Sequence, residues 1–212
     1  TDSLVGSEMC IRDRYSTDPW RKEAPDREPI NDQVEVLFIG GGFSALLTSG
    51  RLHERGIENI RLVERGSDVG GTWYWNRYPG AACDVVSYDY LPLLDEMDYV
   101  PVNHYSRGPE IFGHCQAIAR KYNLYDLAVF STTVTETVWN EAEQLWHVKT
   151  DRGDDMRARF VICANGTLAK PKLSLIDGMN TFKGHAFHSS RWDYEYTGEH
   201  LENLKDKRVG II

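Results

Sequence analysis

The chain has 212 residues, 41% of them hydrophobic and 26% charged, with a formal net charge of −8. That length holds one domain, or one domain and part of another, and the composition excludes disordered and collagen-like classes. The acidic balance argues against nucleic acid or an anionic membrane surface as the main partner, and with no apolar run near ~18 residues and no signal-peptide core, a cytoplasmic location is expected.

Residues 1–32 carry many charges, little apolar periodicity and Pro19, Pro25 and Pro29, so a disordered or artefactual lead is expected there. Residues 3–14 within it resemble translated adapter sequence. The run VEVLFI at 34–39 is β-branched, aromatic and of strand length. From Phe43 the period changes: Phe43, Leu46, Leu47 and Gly50 share one face of a helix ending near Gly56. A second strand is expected over 59–64, completing a βαβ unit of a parallel sheet.

A stretch rich in glycine and aromatics spans 70–90. A second amphipathic helix then starts at Pro109 and Glu110, with Ile111, Cys115, Ile118 and Tyr122 on its apolar face. Alternating segments at 129–139 and 145–150 predict a β-hairpin or meander, and the apolar run 159–164 predicts a buried parallel strand. Residues 169–206 mix prolines, aromatics and charges without a period and read as a linker. Residues 207–212 restart the strand pattern of 34–39. The four cysteines, Cys10, Cys83, Cys115 and Cys163, make no CxxC pair, so neither a metal site nor a disulfide framework is expected.

Gly40, Gly42 and Ala45 fit G-x-G-x-x-G/A. In that motif the first glycine permits a tight turn, the second admits a pyrophosphate to the backbone, and the small third residue lets the helix pack on the strand. Free N–H groups at the helix start favour phosphate. Glu64 ends the second strand, where an acid can accept ribose hydroxyls. Arg65 beside it suits a 2′-phosphate, so the pattern says dinucleotide without saying which. Further on, Gly70 and Gly71 permit backbone contact with a cofactor. Trp73, Trp75 and Tyr78 offer flat faces for a planar ring or form a small aromatic core under a loop, and composition does not separate the two.

The segment GGTWYWNRYPG at 70–80, placed after the fingerprint and its acid, resembles Baeyer–Villiger monooxygenases, which are class B flavoprotein monooxygenases. Phe182, Gly184, His188 and Trp192 have the spacing of that family's F-x-G-x-x-x-H-x-x-x-W signature, and Ala164 to Gly166 is similar to its A-x-G turn. The resemblance covers about residues 33–212. It implies an α/β, Rossmann-like FAD-binding domain, a parallel sheet with a βαβ unit plus a β-meander, truncated at the first strand of a second nucleotide-binding domain. The implied organisation is a first FAD-binding segment over 33–168, an interdomain linker with the signature over 169–206, and the first strand of an NADP-binding domain at 207–212.

Carried onto this sequence, the resemblance implies FAD held by Gly40, Gly42, Phe43 and Ser44 at the pyrophosphate and by Glu64 at the ribose. Gly71, Thr72, Trp73 and Trp75 would lie along the flavin half, Asp84 and Tyr90 near the ring, Val134 near the adenine, and Gly166 at the returning turn. Ala82, Cys83 and Asp84 would border the nicotinamide of NADPH, and Asp84 would orient a catalytic arginine outside this chain. Phe182, Gly184, His188 and Trp192 would form the hinge signature.

The implied reaction uses NADPH and O2 to insert one oxygen next to a ketone carbonyl through a flavin peroxide, giving an ester or lactone. The chain by itself is expected to be inactive. Ala82 stands where many relatives have arginine and Asp193 where many have proline, which marks a divergent subgroup. The alternatives are an N- or S-oxidising flavin monooxygenase and a non-catalytic dinucleotide-binding module.

Overall fold

The computed structural model describes residues 15, 17–21, 26–174, 176–179 and 181–212. The adapter-like stretch at 3–14, and Cys10 with it, lies outside them. The β-branched run near the start forms β1 (Gln33–Ile39), and the glycine turn after it leads into α1 (Phe43–His53) and β2 (Ile60–Val63). β1 and β2 pair in parallel, Val36 opposite Ile60 and Ile39 opposite Val63, as a βαβ unit requires. The buried stripe of α1 is Ala45, Leu46, Ser49 and Gly50, whereas Leu47 is 36% exposed. Small residues on that stripe let the helix lie close to its neighbours: a methyl group on Gly50 would stand 3.0 Å from the Tyr122 ring.

The aromatic stretch contains a one-turn helix, α2 (Thr72–Trp75), and the second amphipathic segment forms α3 (Gly108–Lys121). Ile111, Cys115 and Ile118 of α3 are fully buried, and Cys115 and Ile118 join Leu46, Val69 and Leu124 in one core cluster. Each such aliphatic side chain stabilises the fold by roughly 1.5–3 kcal/mol. The two-residue β3 (Ala128–Val129) adds to the far side of β2. β4 (Val134–Asn140), β5 (Leu145–Thr150) and β6 (Asp155–Cys163) then form the expected meander.

The six strands make one mixed sheet in the order β3-β2-β1-β6-β5-β4. β6 does two jobs. It runs parallel to β1, with Val36 opposite Phe160 and Ile39 opposite Cys163, and antiparallel to β5 over residues 155–158. The apolar run 159–164 was expected to be buried on both faces, but Phe160 is 51% exposed because one face of β6 is uncovered there.

The described residues ahead of β1 are docked, which corrects the expectation of a loose lead over them. Tyr15 is buried, and Arg27 grips Asp154 with two nitrogens at 2.6 and 2.7 Å. Residues 208–212 form no strand, since a strand exists only through hydrogen bonds to a neighbour and none lies beside them among the described residues. No helix among the described residues is long and apolar enough to cross a membrane.

Candidate dinucleotide site

In an open α/β sheet the chain diverges at the carboxyl ends of strands where connections leave in opposite directions, and ligands bind in the crevice so formed. Here that point lies between β1 and β6. A cleft of about 810 Å³ opens there, lined by Ile39, Val63 and Cys163 at three strand ends and by the glycine turn Gly40, Gly42 and Ser44.

The glycines answer to distances. Gly40 has φ +115°, and a methyl group on it would fall 2.4 Å from the carbonyl oxygen of Ala164. Gly42 faces Gly71, where an added methyl would reach 2.9 Å from the Gly42 Cα. The two turns are tied by the Gly70 N–H donating to the Gly41 carbonyl at 2.9 Å. Gly42 begins α1 without a side-chain cap, and the first turn carries no acidic residue, so no acidic side chain of the helix itself opposes the N–H groups at its start.

Glu64, 6% exposed, accepts the Gly41 N–H on Oε2 and the Gly66 N–H on Oε1, both at 2.6 Å. Burial pushes this carboxyl up in pKa, while the two N–H donors and Arg65 pull it down. Each carboxylate oxygen has two lone pairs, so both keep one for a ligand hydroxyl.

One wall is aromatic. The Trp73 indole N–H donates to the Tyr90 hydroxyl at 2.9 Å, and the Tyr90 ring meets Trp73 and Phe43 edge-on at 5.7 and 5.6 Å. Trp75 is 2% exposed, with the Arg65 and Arg191 guanidinium groups 4.6 and 4.4 Å from its ring centre. Its flat face is therefore taken by cations and is not free for a planar ligand ring. Tyr78 does not line the cleft.

Of the residues expected at the cofactor, the cleft gathers Gly40, Gly42, Phe43, Ser44, Glu64, Gly71, Thr72, Trp73, Trp75, Tyr90, Val134 and Gly166. Ala82, Cys83 and Asp84 lie apart, in a more open pocket of about 530 Å³ shared with Asn103, His104, Tyr105 and Arg107. Thr132, Thr133, Thr135, Glu136, Thr137, Cys163 and Lys170 also line the cleft and were not expected; the threonines carry no spacing that would mark them.

The four signature residues do not line the cleft. Phe182 is 64% exposed and packs over Gly184, where a methyl group would meet its ring at 2.4 Å. The His188 Nδ1 accepts the Ser190 N–H at 3.1 Å and caps a short turn, while burial lowers its pKa. The Trp192 indole N–H donates to Thr197 Oγ1 at 3.0 Å. Among the described residues no group of three or more His, Cys, Asp or Glu side chains is placed to hold a metal.

A family model described as an NAD(P)-binding Rossmann-like domain matches residues 39–94, the glycine turn, α1, β2 and the aromatic stretch. A pentalenolactone D synthase of Streptomyces arenae is 53% identical over 94% of this chain and 34% of its own length. A Baeyer–Villiger monooxygenase of Streptomyces coelicolor is 49% identical over 93% of this chain and 34% of its own. The chain is homologous to Baeyer–Villiger monooxygenases.

Solved Baeyer–Villiger structures agree with the fold. A polycyclic ketone monooxygenase of Thermothelomyces thermophila superposes with a TM-score of 0.86 at 35% identity, covering 92% of this chain and 34% of that one. OTEMO in complex with FAD and NADP superposes at 0.69 with 32% identity, covering 76% and 30%. The chain thus spans about a third of the length of the curated relatives and solved Baeyer–Villiger chains it matches.

Proposed function

We propose that this chain forms the FAD-binding segment of an enzyme that uses NADPH and O2 to insert one oxygen atom next to a ketone carbonyl, giving an ester or lactone. The observation that carries the proposal is the single cleft joining the glycine turn, Glu64 and the Trp73–Tyr90 wall, in a chain about half identical to Baeyer–Villiger monooxygenases. The residues fit FAD. The close approach of Gly42 and Gly71 leaves bare backbone at the start of α1 for a pyrophosphate, and Glu64 keeps lone pairs for ribose hydroxyls.

FAD, once bound, supplies the redox chemistry that passes electrons from NADPH to O2. The protein's own part is placement. Gly40, Gly42 and Ser44 seat the phosphates, Glu64 fixes the ribose, and Phe43, Trp73 and Tyr90 keep water from one side of the cleft. Val134, with the threonines beside it, takes the adenine end, and Gly166 leaves open space at the returning turn. Ala82, Cys83 and Asp84, in their separate pocket, border the nicotinamide, and Asp84 orients an arginine from outside this chain. Residues 169–206 serve as the linker, with Phe182, Gly184, His188 and Trp192 as its hinge signature, and residues 207–212 open a second nucleotide-binding unit.

The test is a longer polypeptide carrying this chain, purified and assayed with a ketone panel. Flavin absorbance, ketone-dependent NADPH oxidation and an ester bearing one atom from labelled O2 are expected. A colourless protein with no thermal shift on adding FAD overturns the flavin assignment. Oxidation of amines or sulfides with no ester from any ketone assigns the chain to N- or S-oxidising enzymes instead.

A further inference from the structure

We infer that Arg191 is a positioning residue for the Trp75 wall of the cleft, and that Tyr15 and residues 17–21 are the strap that holds it there. Arg191 is 7% exposed, and its guanidinium lies 4.4 Å from the Trp75 ring centre. No carboxylate stands at salt-bridge distance from it among the described residues. Its partners are neutral: Nε donates to the Thr17 carbonyl at 3.1 Å, and Nη1 donates to the Ser190 carbonyl and hydroxyl at 2.8 and 3.3 Å.

A buried guanidinium without a counter-ion is costly unless dipoles and a ring face surround it. Burial and the nearby Arg65 cation lower its pKa to about 10 against the weaker opposing pull of the Asp18 carboxylate, which leaves it charged at neutral pH. Three segments share the work of surrounding it: the strap through Thr17, the turn through Ser190, and the cleft wall through Trp75. The cation is stable in place only while all three stay assembled.

The strap is fastened to the same wall independently of Arg191. The Tyr74 hydroxyl donates to Asp18 Oδ2 at 2.6 Å, Ser67 Oγ donates to the Trp20 carbonyl at 3.3 Å, and the Arg77 guanidinium sits 4.9 Å from the Trp20 ring centre. Tyr74 and Trp75 are neighbours in α2, so strap and guanidinium grip one helical turn. On its other side the strap meets the linker: the Tyr15 hydroxyl donates to the Ala186 carbonyl at 3.4 Å, and Trp20 packs on Tyr194 with ring centres 6.2 Å apart. The linker's place is thereby coupled to the shape of the cleft wall. This holds whichever dinucleotide the cleft takes.

The test is hydrogen exchange on the full chain, together with the fluorine resonance of Trp75 after 5-fluorotryptophan labelling, assigned with Trp75→Phe. Asp18→Asn weakens the hold on Tyr74 and removes a carboxylate that attracts Arg191 from beyond salt-bridge distance, while the Arg191 and Trp75 side chains themselves are kept. It is expected to speed exchange in residues 186–197 roughly tenfold or more, as loss of a hydrogen bond to a charged group implies, and to shift the Trp75 resonance. Arg191→Ala should do both more strongly. Arg191→Lys keeps a cation near Trp75 but loses the planar fork to Thr17 and Ser190, so it should restore the resonance more than the protection. Unchanged exchange and resonance in both Asp18→Asn and Arg191→Ala overturn the inference. So does an equal rise in exchange throughout β1, β2 and β6, which would mark general destabilisation.

Discussion

Gly71 stands so close to Gly42 that a methyl group on it would reach 2.9 Å from the Gly42 Cα, and its φ is +51°. Gly71→Ala therefore meets both backbone strain and a clash with the turn that opens α1. A stability loss of about 1–3 kcal/mol is expected from the backbone conformation alone. It should come with weakened FAD binding, because the two turns must part to admit the methyl. Denaturant midpoints and a flavin fluorescence titration check both effects; a variant with normal affinity would show that the turns' approach does not shape the phosphate seat.

Glu64→Gln tests the carboxylate that faces two N–H donors. The amide has a single acceptor oxygen, so its NH2 must turn toward either Gly41 or Gly66, setting donor against donor. The expected cost is about 1–3 kcal/mol of stability. FAD affinity should also fall by roughly tenfold or more, as expected on losing one charge-assisted hydrogen bond to the ribose. Isothermal titration measures the second and thermal unfolding the first.

Asp154 gives the fold a signed pH dependence. It accepts from Arg27, the Ile30 N–H and the Thr150 hydroxyl, and these partners outweigh burial to hold its pKa down at about 2. A depressed folded-state pKa means that the contribution is complete above the unfolded value near 3.8 and is lost as pH falls through about 2. Wild type should exceed Asp154→Asn by about 2 kcal/mol at neutral pH, with the difference shrinking toward pH 2. A gap independent of pH would assign the effect to packing.

Ile118→Ala separates core from cleft. Ile118 is fully buried between α3 and its neighbours, so truncation should cost about 2–5 kcal/mol, and Ile118→Val about 0.5–1.5 kcal/mol. FAD affinity of the molecules that remain folded should not change, since Ile118 does not line the cleft.

Much of this was legible in the residues. The switch from a β-branched run to spacing by three and four at Phe43 set out β1, the turn and α1, because each period fits one backbone geometry. The face of α3 was read residue by residue for the same reason. What escaped reading depends on partners distant in the chain. β3 has only two residues and exists because β2 offers an edge. The N-terminal half of β6 carries charges, and it is a strand because β5 pairs with it. Composition left Trp75 open between a ring face for a ligand and a small aromatic core, and no local spacing announces that guanidinium groups from Arg65 and Arg191 will lie against it. Ala82 to Asp84 lie within the stretch rich in glycine and aromatics, yet the bridge between Ala82 and Arg107 turns them into a separate pocket.

The contact between Gly40 and Ala164 also sets an order of events during synthesis. The glycine turn is made well before its back wall, the Ala164 carbonyl at the end of β6. Ribosomes add about 5–20 residues per second, so the turn waits roughly 6–25 s for that wall. During the wait β1 has one neighbouring strand and an open edge, a template on which another chain can pair. The phosphate seat is thus written early and finished late, and the interval between is when this chain is most exposed to misassembly.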